Sequence, residues 1–164
     1  MIWVNGRVNG ACKSISMLIQ ELSEQESLDL LSRVRFGRLA CAAGGQPYVV
    51  PINFAVQGRN IYAFSTIGKK IEYLRLNPLA CLQADEIASR QKWKSVIVLG
   101  RYHEVSNTAR EGAERAMIHG LLQKRAAWWE PAYVRTVLGG RARPLEPIFF
   151  RLSIESISGH VASS

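Results

Sequence analysis

The sequence predicts a mainly β fold, a small closed or split barrel of six antiparallel strands with flanking helices. Two turn signals, Gly44-Gly45 and Gly58-Arg59-Asn60, join three successive strand patterns, which must therefore be antiparallel neighbours. A single short helical pattern interrupts the first five strands, and a further helix precedes the sixth. Because closure removes exposed sheet edges, so few antiparallel strands favour a barrel.

The first half of the chain begins with a helix. Ser23 followed by Glu26 is a capping-box pattern, and Gly37 is expected to end the helix. The three strands that follow are expected at Arg38–Ala43, Pro47–Val56 and Asn60–Ser65.

The second half mixes strands with two helical patterns. Helical spacing over Gly68–Asn77 ends at Pro78, since the residue before a proline disfavours the helix. A second helix is expected from Thr108 to about Lys124, and residues 128–143 read as irregular or weakly helical. The remaining strands are expected at Leu79–Ala84, Trp93–Val105 and Pro147–Ile157, with a polar loop at Asp85–Lys92.

Length and composition indicate one globular domain. We place it at residues 21–164, after a loosely ordered extension at residues 1–20. With 48% hydrophobic residues the chain is not of the disordered class, and no window is apolar enough for a membrane span. Cys12, Cys41 and Cys81 are odd in number and widely spaced, which suggests neither a disulfide framework nor a metal site and fits a reducing cytoplasm.

The net charge of +8 favours an anionic partner. Nucleic acid is the weaker choice, because the basic residues of the helix from Thr108 alternate with acidic ones. Those residues are Arg110, Arg115 and Lys124 against Glu111 and Glu114. Such mixing does not make a face that follows phosphates.

A candidate anion site follows the third strand. Ser65 and Thr66 end the strand, Gly68 permits a turn, and Lys69 and Lys70 open a helix. Hydroxyls, helix N–H groups and two ammonium groups together make a phosphate cradle. Since the helix dipole repels cations at its N-terminus, two lysines there call for an anion. The alternative is a hydrophilic turn with solvated lysines.

A second candidate surface is the stretch Val50-Pro51-Ile52-Asn53-Phe54. The proline denies one ladder hydrogen bond, so this strand lies at an edge or keeps its backbone for a ligand. The asparagine needs a partner if it is buried. An aromatic heterocycle could use these free groups, although an ordinary edge strand would look the same.

Catalytic residues are not evident. The histidines are scattered and no paired carboxylates are visible, so the catalytic residues stay unknown and an enzyme of this sequence would depend on a cofactor. Ser95, where the polar loop enters the fifth strand, could donate a hydrogen bond to a ligand.

Taken in order, these motifs resemble the FMN-binding split barrels related to pyridoxamine 5′-phosphate oxidase, in particular the nitroimidazole-reductase-like branch. The similarity covers about Ser23 to Val105. Its marks are Gly37-Arg38-Leu39-Ala40, Pro47-Tyr48-Val49-Val50-Pro51, Ser65-Thr66, Gly68-Lys69-Lys70, Asn77-Pro78 and Ser95-Val96-Ile97-Val98-Leu99-Gly100.

The resemblance implies FMN as cofactor and a role for each motif. Val50 to Phe54 would line the isoalloxazine ring, Ser65 and Thr66 the ribityl–phosphate region, Lys69 and Lys70 the phosphate, and Ser95 the polar side of the flavin. It also implies a homodimer with FMN between the subunits, to which Trp128, Trp129 or Arg141 of the partner chain could contribute.

The resemblance implies a flavin-dependent oxidoreductase acting on an unknown small organic substrate. Two departures argue against true pyridoxamine 5′-phosphate oxidation: Ala55 stands where the oxidases carry a lysine, and the C-terminal end lacks their arginine. The alternatives are a flavin-binding or redox-sensing module without turnover, and a split barrel that uses deazaflavin or haem.

Overall fold

The computed structural model describes residues 18–124, 136–138, 141–143 and 147–163. The helices are α1 (Glu24–Arg33), α2 (Lys69–Leu76) and α3 (Gly112–Gln123). The strands are β1 (Leu18–Leu22), β2 (Phe36–Ala43), β3 (Gln46–Asn53), β4 (Ala55–Gln57), β5 (Asn60–Ser65), β6 (Leu79–Ser89), β7 (Lys92–Val105), β8 (Thr136–Leu138), β9 (Arg141–Arg143) and β10 (Ile148–Ser163).

Eight of the described strands form one antiparallel sheet. Its order is β3-β2-β6-β7-β10-β5-β4, and β1 pairs with β10. The predicted count of six was too low. Phe54 divides the predicted strand Pro47–Val56 into β3 and β4, which lie at opposite ends of the sheet path. The predicted boundary at residue 20 falls inside β1, because that strand pairs with residues at the far end of the chain.

β10 is the long strand that joins the two halves of the sheet. It pairs with β7 from Phe149 to Ala162, while its first part pairs with β5 and its last part with β1. The prediction ended this strand at Ile157, six residues before its end at Ser163. His160 is therefore a residue of β10, paired in register with Ser95 of β7.

Further boundaries differ from the prediction, three of them by several residues. β6 continues to Ser89, so most of the expected loop Asp85–Lys92 is a strand of the β6–β7 hairpin. α1 ends at Arg33, where Val34 turns to an extended conformation, and Gly37 lies in β2, where a Cβ would come 2.8 Å from the carbonyl oxygen of Gln83. α3 begins at Gly112 rather than after Thr108. Within the region expected to be irregular, β8 and β9 pair with each other.

The main core fills the inside of the curved sheet. Its largest fully buried side chains include Leu30 and Leu31 of α1, Leu82 of β6 and Phe150 of β10. The predicted capping box starts α1: the Ser23 hydroxyl accepts from the Glu26 N–H, and the Glu26 carboxylate accepts from the Ser23 N–H. α1 thereby covers one end of the core.

α1 packs closely against the last part of β10. A Cβ on Gly159 would come 2.5 Å from the Ser27 hydroxyl oxygen and 3.0 Å from a methyl group of Leu22. Only glycine therefore lets α1 and β1 approach β10 as closely as they do. A smaller cluster, including Ile118 and Leu122, joins α3 to Tyr62 of β5.

Candidate functional site

The start of α2 follows β5 after a short turn. Gly68 is the N-cap and has no side chain to bind the first N–H groups, which in an α-helix lack intrahelical acceptors. Its carbonyl oxygen accepts from the N–H groups of Ile71 and Glu72. The positive end of the helix dipole therefore lies beside Lys69 and Lys70.

Lys70 is partly buried beside β2. Burial lowers the pKa of its ammonium group, and the nearby Cys41 acts in the opposite direction. The Cys41 thiol donates to the Lys70 carbonyl oxygen at 4.0 Å, and burial raises the pKa of that thiol. Within the described ranges no carboxylate forms an ion pair with Lys70. A desolvated cation without a counter-ion is costly, so this arrangement suits a bound anion.

Lys69 points to a different environment from Lys70. Its ammonium nitrogen lies 5.1 Å from the centroid of the Tyr48 ring and 5.3 Å from that of Tyr73. The two rings are 6.0 Å apart and pack on the main core. Neither tyrosine was predicted to belong to the site, although Tyr73 follows Lys69 by four residues, the spacing at which helix side chains meet.

β3 is an end strand of the sheet, as the proline predicts, so one of its edges pairs with no other described strand. Ile52 and Phe54 are buried in the core, and only their backbone could meet a ligand. The Phe54 N–H already donates to the Arg35 carbonyl oxygen at 3.3 Å. Val50 is partly buried and Pro51 exposed. Next to them, the Asn53 side-chain NH₂ is buried without a hydrogen-bond partner.

Ser65 and Thr66 lie where β5 leads into α2. Ser65 is 6% exposed, and its hydroxyl donates to the Thr66 carbonyl oxygen at 3.0 Å. The Ser65 oxygen keeps its acceptor capacity, and Thr66 is partly exposed. These two residues and the two lysines are close neighbours along one turn and helix start.

Ser95 is separated from the other candidate residues. It is in register with His160, whereas Ser65 is in register with Ile148, at the opposite end of β10. About twelve residues of strand, roughly 40 Å, lie between the two positions. Two strands, β2 and β6, also separate β7 from β3. One chain therefore does not bring Ser95 to the lysines.

A partly exposed ion pair that no sequence pattern predicted fixes the far end of α2. The Arg75 guanidinium donates to the Glu104 carboxylate through two nitrogens, at 2.8 and 2.7 Å, and the Tyr102 hydroxyl donates to it at 3.1 Å. The Arg75 hydrogen bonds lower the pKa of Glu104, whereas burial raises the pKa of Tyr102. α2 is thereby attached to β7.

The outer face of the sheet carries an apolar row. Val49, Ala40, Cys81 and Leu99 lie in one row across β3, β2, β6 and β7. Val49 is 58% exposed and Leu99 52% exposed. A cleft of about 460 Å³ opens on this face between Pro47, Leu79 and Leu99 among other residues.

The remaining expectations concern a metal site, a membrane span and three residues that a partner chain could contribute. The described residues contain no group of three potential metal ligands. None of the helices in the described ranges has the length and apolar character that a membrane crossing requires. Trp128 and Trp129 lie outside the described residues, and Arg141 lies in β9.

Comparison with known proteins gives consistent matches over most of the chain. A family model described as pyridoxamine 5′-phosphate oxidase matches residues 23–161. An uncharacterized protein of Rhizobium meliloti is 37% identical over 148 residues, which are 89% of this chain and 97% of that protein.

Solved structures agree with this match. A FAD-binding protein from Mesorhizobium loti is 40% identical with a TM-score of 0.75, covering 91% of this chain and 100% of that one. A FAD-binding protein from Mycobacterium smegmatis is 23% identical with a TM-score of 0.58, covering 86% and 98%, which shows likeness of fold. The predicted antiparallel, mainly β split-barrel class is confirmed.

Proposed function

The chain belongs to the pyridoxamine 5′-phosphate oxidase family, and from that premise we propose that it binds a flavin, FMN, as a redox cofactor. We propose further that it is an oxidoreductase for a small organic substrate. The observation that carries the proposal is Lys70, a partly buried cation at a helix N-terminus without a carboxylate partner in the described part of the chain. Such a position suits a phosphate.

The neighbouring residues fit the rest of a flavin. The buried NH₂ of Asn53 lacks an acceptor, and the free edge of β3 offers backbone groups to a planar heterocycle. Ser65 and Thr66 directly precede the turn to the lysines and would bind the polar chain of the flavin. Lys70 would hold the phosphate, and Lys69 would add a second charge at its outer side.

A bound flavin supplies hydride and single-electron transfer chemistry. The residues of the chain would bind and orient the flavin. Lys70 and the start of α2 would fix the phosphate, β3 would fix the plane of the ring, and the apolar core behind β3 would exclude water from one face. The ion pair of Arg75 with Glu104 would keep α2 in place.

One of the related structures bears on whether the flavin is FMN or FAD. The Mesorhizobium loti protein, at 40% identity, is described as FAD-binding, which favours FAD as the alternative cofactor. Lys69, whose ammonium nitrogen lies over the Tyr48 and Tyr73 rings, would then meet the second phosphate of FAD. A flavin-binding module without turnover is the alternative to an enzyme.

We also propose that two copies of the chain form the complete site. Exposed Val49, Leu79, Ile97 and Leu99 on the outer face support this, because a patch of large apolar side chains is typical of interfaces. The separation of Ser95 from Lys70 supports it as well. In a two-fold dimer, Ser95 of one copy could reach the flavin held by the other.

The first test is what the purified protein carries. We expect a yellow protein whose extracted cofactor is FMN by chromatography, with saturable uptake of FMN after extraction. Extraction of FAD would replace FMN with the alternative, while no flavin absorbance and no uptake of either would overturn the proposal. Steady-state NAD(P)H oxidation with a nitroaromatic or quinone acceptor distinguishes an enzyme from a binding module.

The dimer is tested separately with Leu99→Arg. A charge in the apolar outer face should convert the protein to a monomer in light-scattering measurements and reduce flavin uptake. Leu76→Arg is the matched control, since Leu76 is 78% exposed but belongs to α2 rather than to that face. A monomeric parent protein that binds flavin normally would contradict the shared site.

A further inference from the structure

Two tyrosines from different elements meet at the start of α2. Tyr48 lies on β3, in register with Cys41 of β2, whose thiol donates to the Lys70 carbonyl oxygen. Tyr73 lies on α2, four residues after Lys69 and on the same side of the helix. Both rings are partly buried against the main core, and their centroids are 6.0 Å apart with the planes inclined by 59°. The packing of the chain therefore holds both rings in place before any ligand binds.

The ammonium group of Lys69 lies over both rings. Its nitrogen is 5.1 Å from the Tyr48 centroid and 5.3 Å from the Tyr73 centroid. Both distances are within the limit of about 6 Å at which an aromatic face attracts a cation. A lysine stem is flexible and samples many positions when its side chain is exposed, as that of Lys69 is. The two rings thus favour one position for an otherwise flexible side chain.

The rings hold the charge of Lys69 without neutralising it. Among the residues that the structure describes, no carboxylate forms an ion pair with Lys69. A carboxylate partner would occupy the N–H groups of the ammonium and cancel its charge. An aromatic face carries no net charge, so the ammonium keeps its own charge, and its N–H groups remain available to oxygen atoms of a ligand. This arrangement suits an anion such as phosphate.

We propose that Tyr48 and Tyr73 are positioning residues that hold Lys69 for the phosphate of the bound flavin, so that the site favours FMN over riboflavin. Riboflavin has the same ring and ribityl chain but no phosphate. The inference rests on the proposed function, because it needs a flavin phosphate at the start of α2. Lys70 is partly buried, whereas Lys69 is exposed and depends on the rings for its position. A lysine already in place loses less side-chain freedom when the phosphate binds.

The test compares FMN with riboflavin in fluorescence titrations of the flavin-free protein. The double variant Tyr48→Leu with Tyr73→Leu should weaken FMN binding by roughly twofold to threefold and leave riboflavin binding unchanged. Tyr48→Phe with Tyr73→Phe keeps both aromatic faces and should bind FMN like the parent. In a Lys69→Met background the leucine substitutions should have no further effect, because the charge that the rings position is gone. A loss of affinity that FMN and riboflavin share, or an additive effect in the Lys69→Met background, would overturn the inference.

A measurement without flavin keeps the inference testable if the leucine variant does not fold. In the flavin-free parent, the ring currents of Tyr48 and Tyr73 should move the NMR signals of the Lys69 Hε protons upfield. Lys69 is assigned by the loss of its signals in Lys69→Met, and Lys124, at the exposed end of α3, is the reference. Lys69 signals at the position of those of Lys124 would overturn the inference.

The outcomes also separate this inference from the proposed function. A parent protein that takes up neither FMN nor riboflavin would overturn the proposed function, and this inference with it. A parent that binds both, with a preference for FMN that Lys69→Met leaves unchanged, would overturn the inference alone.

Discussion

The two ends of the sheet hold their cations in different ways. At the start of α2, Lys70 is partly buried, its pKa is lowered, and the described carboxylates do not pair with it. At the β6–β7 hairpin, Lys92 is exposed and keeps its hydration. The difference indicates that the burial of a lysine decides its contribution to anion binding more than the number of lysines does. Only a desolvated cation gains strongly from an anion. We therefore expect flavin affinity to depend on the α2 end.

The largest effect is expected from Lys70→Ala. Loss of a charged hydrogen bond costs about 1.5–3 kcal/mol, so flavin affinity should fall by about tenfold to a hundredfold in a fluorescence titration. Lys69→Ala should cost less, roughly threefold, because Lys69 is exposed over its tyrosines. Lys124→Ala is the control for net charge. Equal losses at both lysines would remove the distinction between them.

The next effect concerns stability at the other end of the sheet. Gly159→Ala places a Cβ 2.5 Å from the Ser27 oxygen, and overpacking of this kind lowers the free energy of unfolding by about 1–3 kcal/mol. Gly120→Ala is the matched control, since no atom lies within 4 Å of its added Cβ. Urea denaturation measures both. A Gly159→Ala protein as stable as the parent would mean that α1 does not pack closely against β10 at this position.

A smaller effect is expected from Ser95→Ala. If Ser95 reaches the flavin of a second copy, the loss of one neutral hydrogen bond should weaken flavin binding by roughly fivefold. The same substitution at Ser158, an exposed serine on β10, serves as the control. Flavin affinity that stays the same in Ser95→Ala would restrict the site to the α2 end.

The smallest effect is a change of stability with pH. Because burial lowers the pKa of Lys70 below its ordinary value of 10.5, the charged group destabilises the flavin-free fold at neutral pH. That penalty fades as pH rises through the lowered pKa towards 10.5. Lys70→Met should therefore be more stable than the parent at pH 7, and thermal melts should converge as pH rises. A constant difference from pH 7 to 10.5 would contradict this account.

Local signals predicted the elements that depend on local sequence. The capping box of Ser23 and Glu26 forms as expected, and β5 has the predicted bounds Asn60–Ser65. β1 was missed because Leu18–Leu22 is defined by its partner strand, whose residues lie at the other end of the chain. The break at Phe54 was missed for a related reason, since an apolar run does not reveal where a strand leaves one edge for another.

The candidate site was predicted unevenly for the same reason. Ser65, Thr66, Lys69 and Lys70 are consecutive enough for one turn to bring them together. Ser95 was grouped with them by resemblance, and the register of β10 separates it within one chain. The Arg75–Glu104 pair joins residues far apart in sequence, so no local pattern reveals it.

β10 is the last of the described strands to be synthesised, yet it separates β7 from β5 and also pairs with β1. While the chain is still on the ribosome, the edges of β1, β5 and β7 have no partner. Unpaired strand edges are sites of aggregation. The sheet can therefore be completed only after translation has passed residue 163, and a chain that stops before Ile148 should be retained by chaperones or degraded.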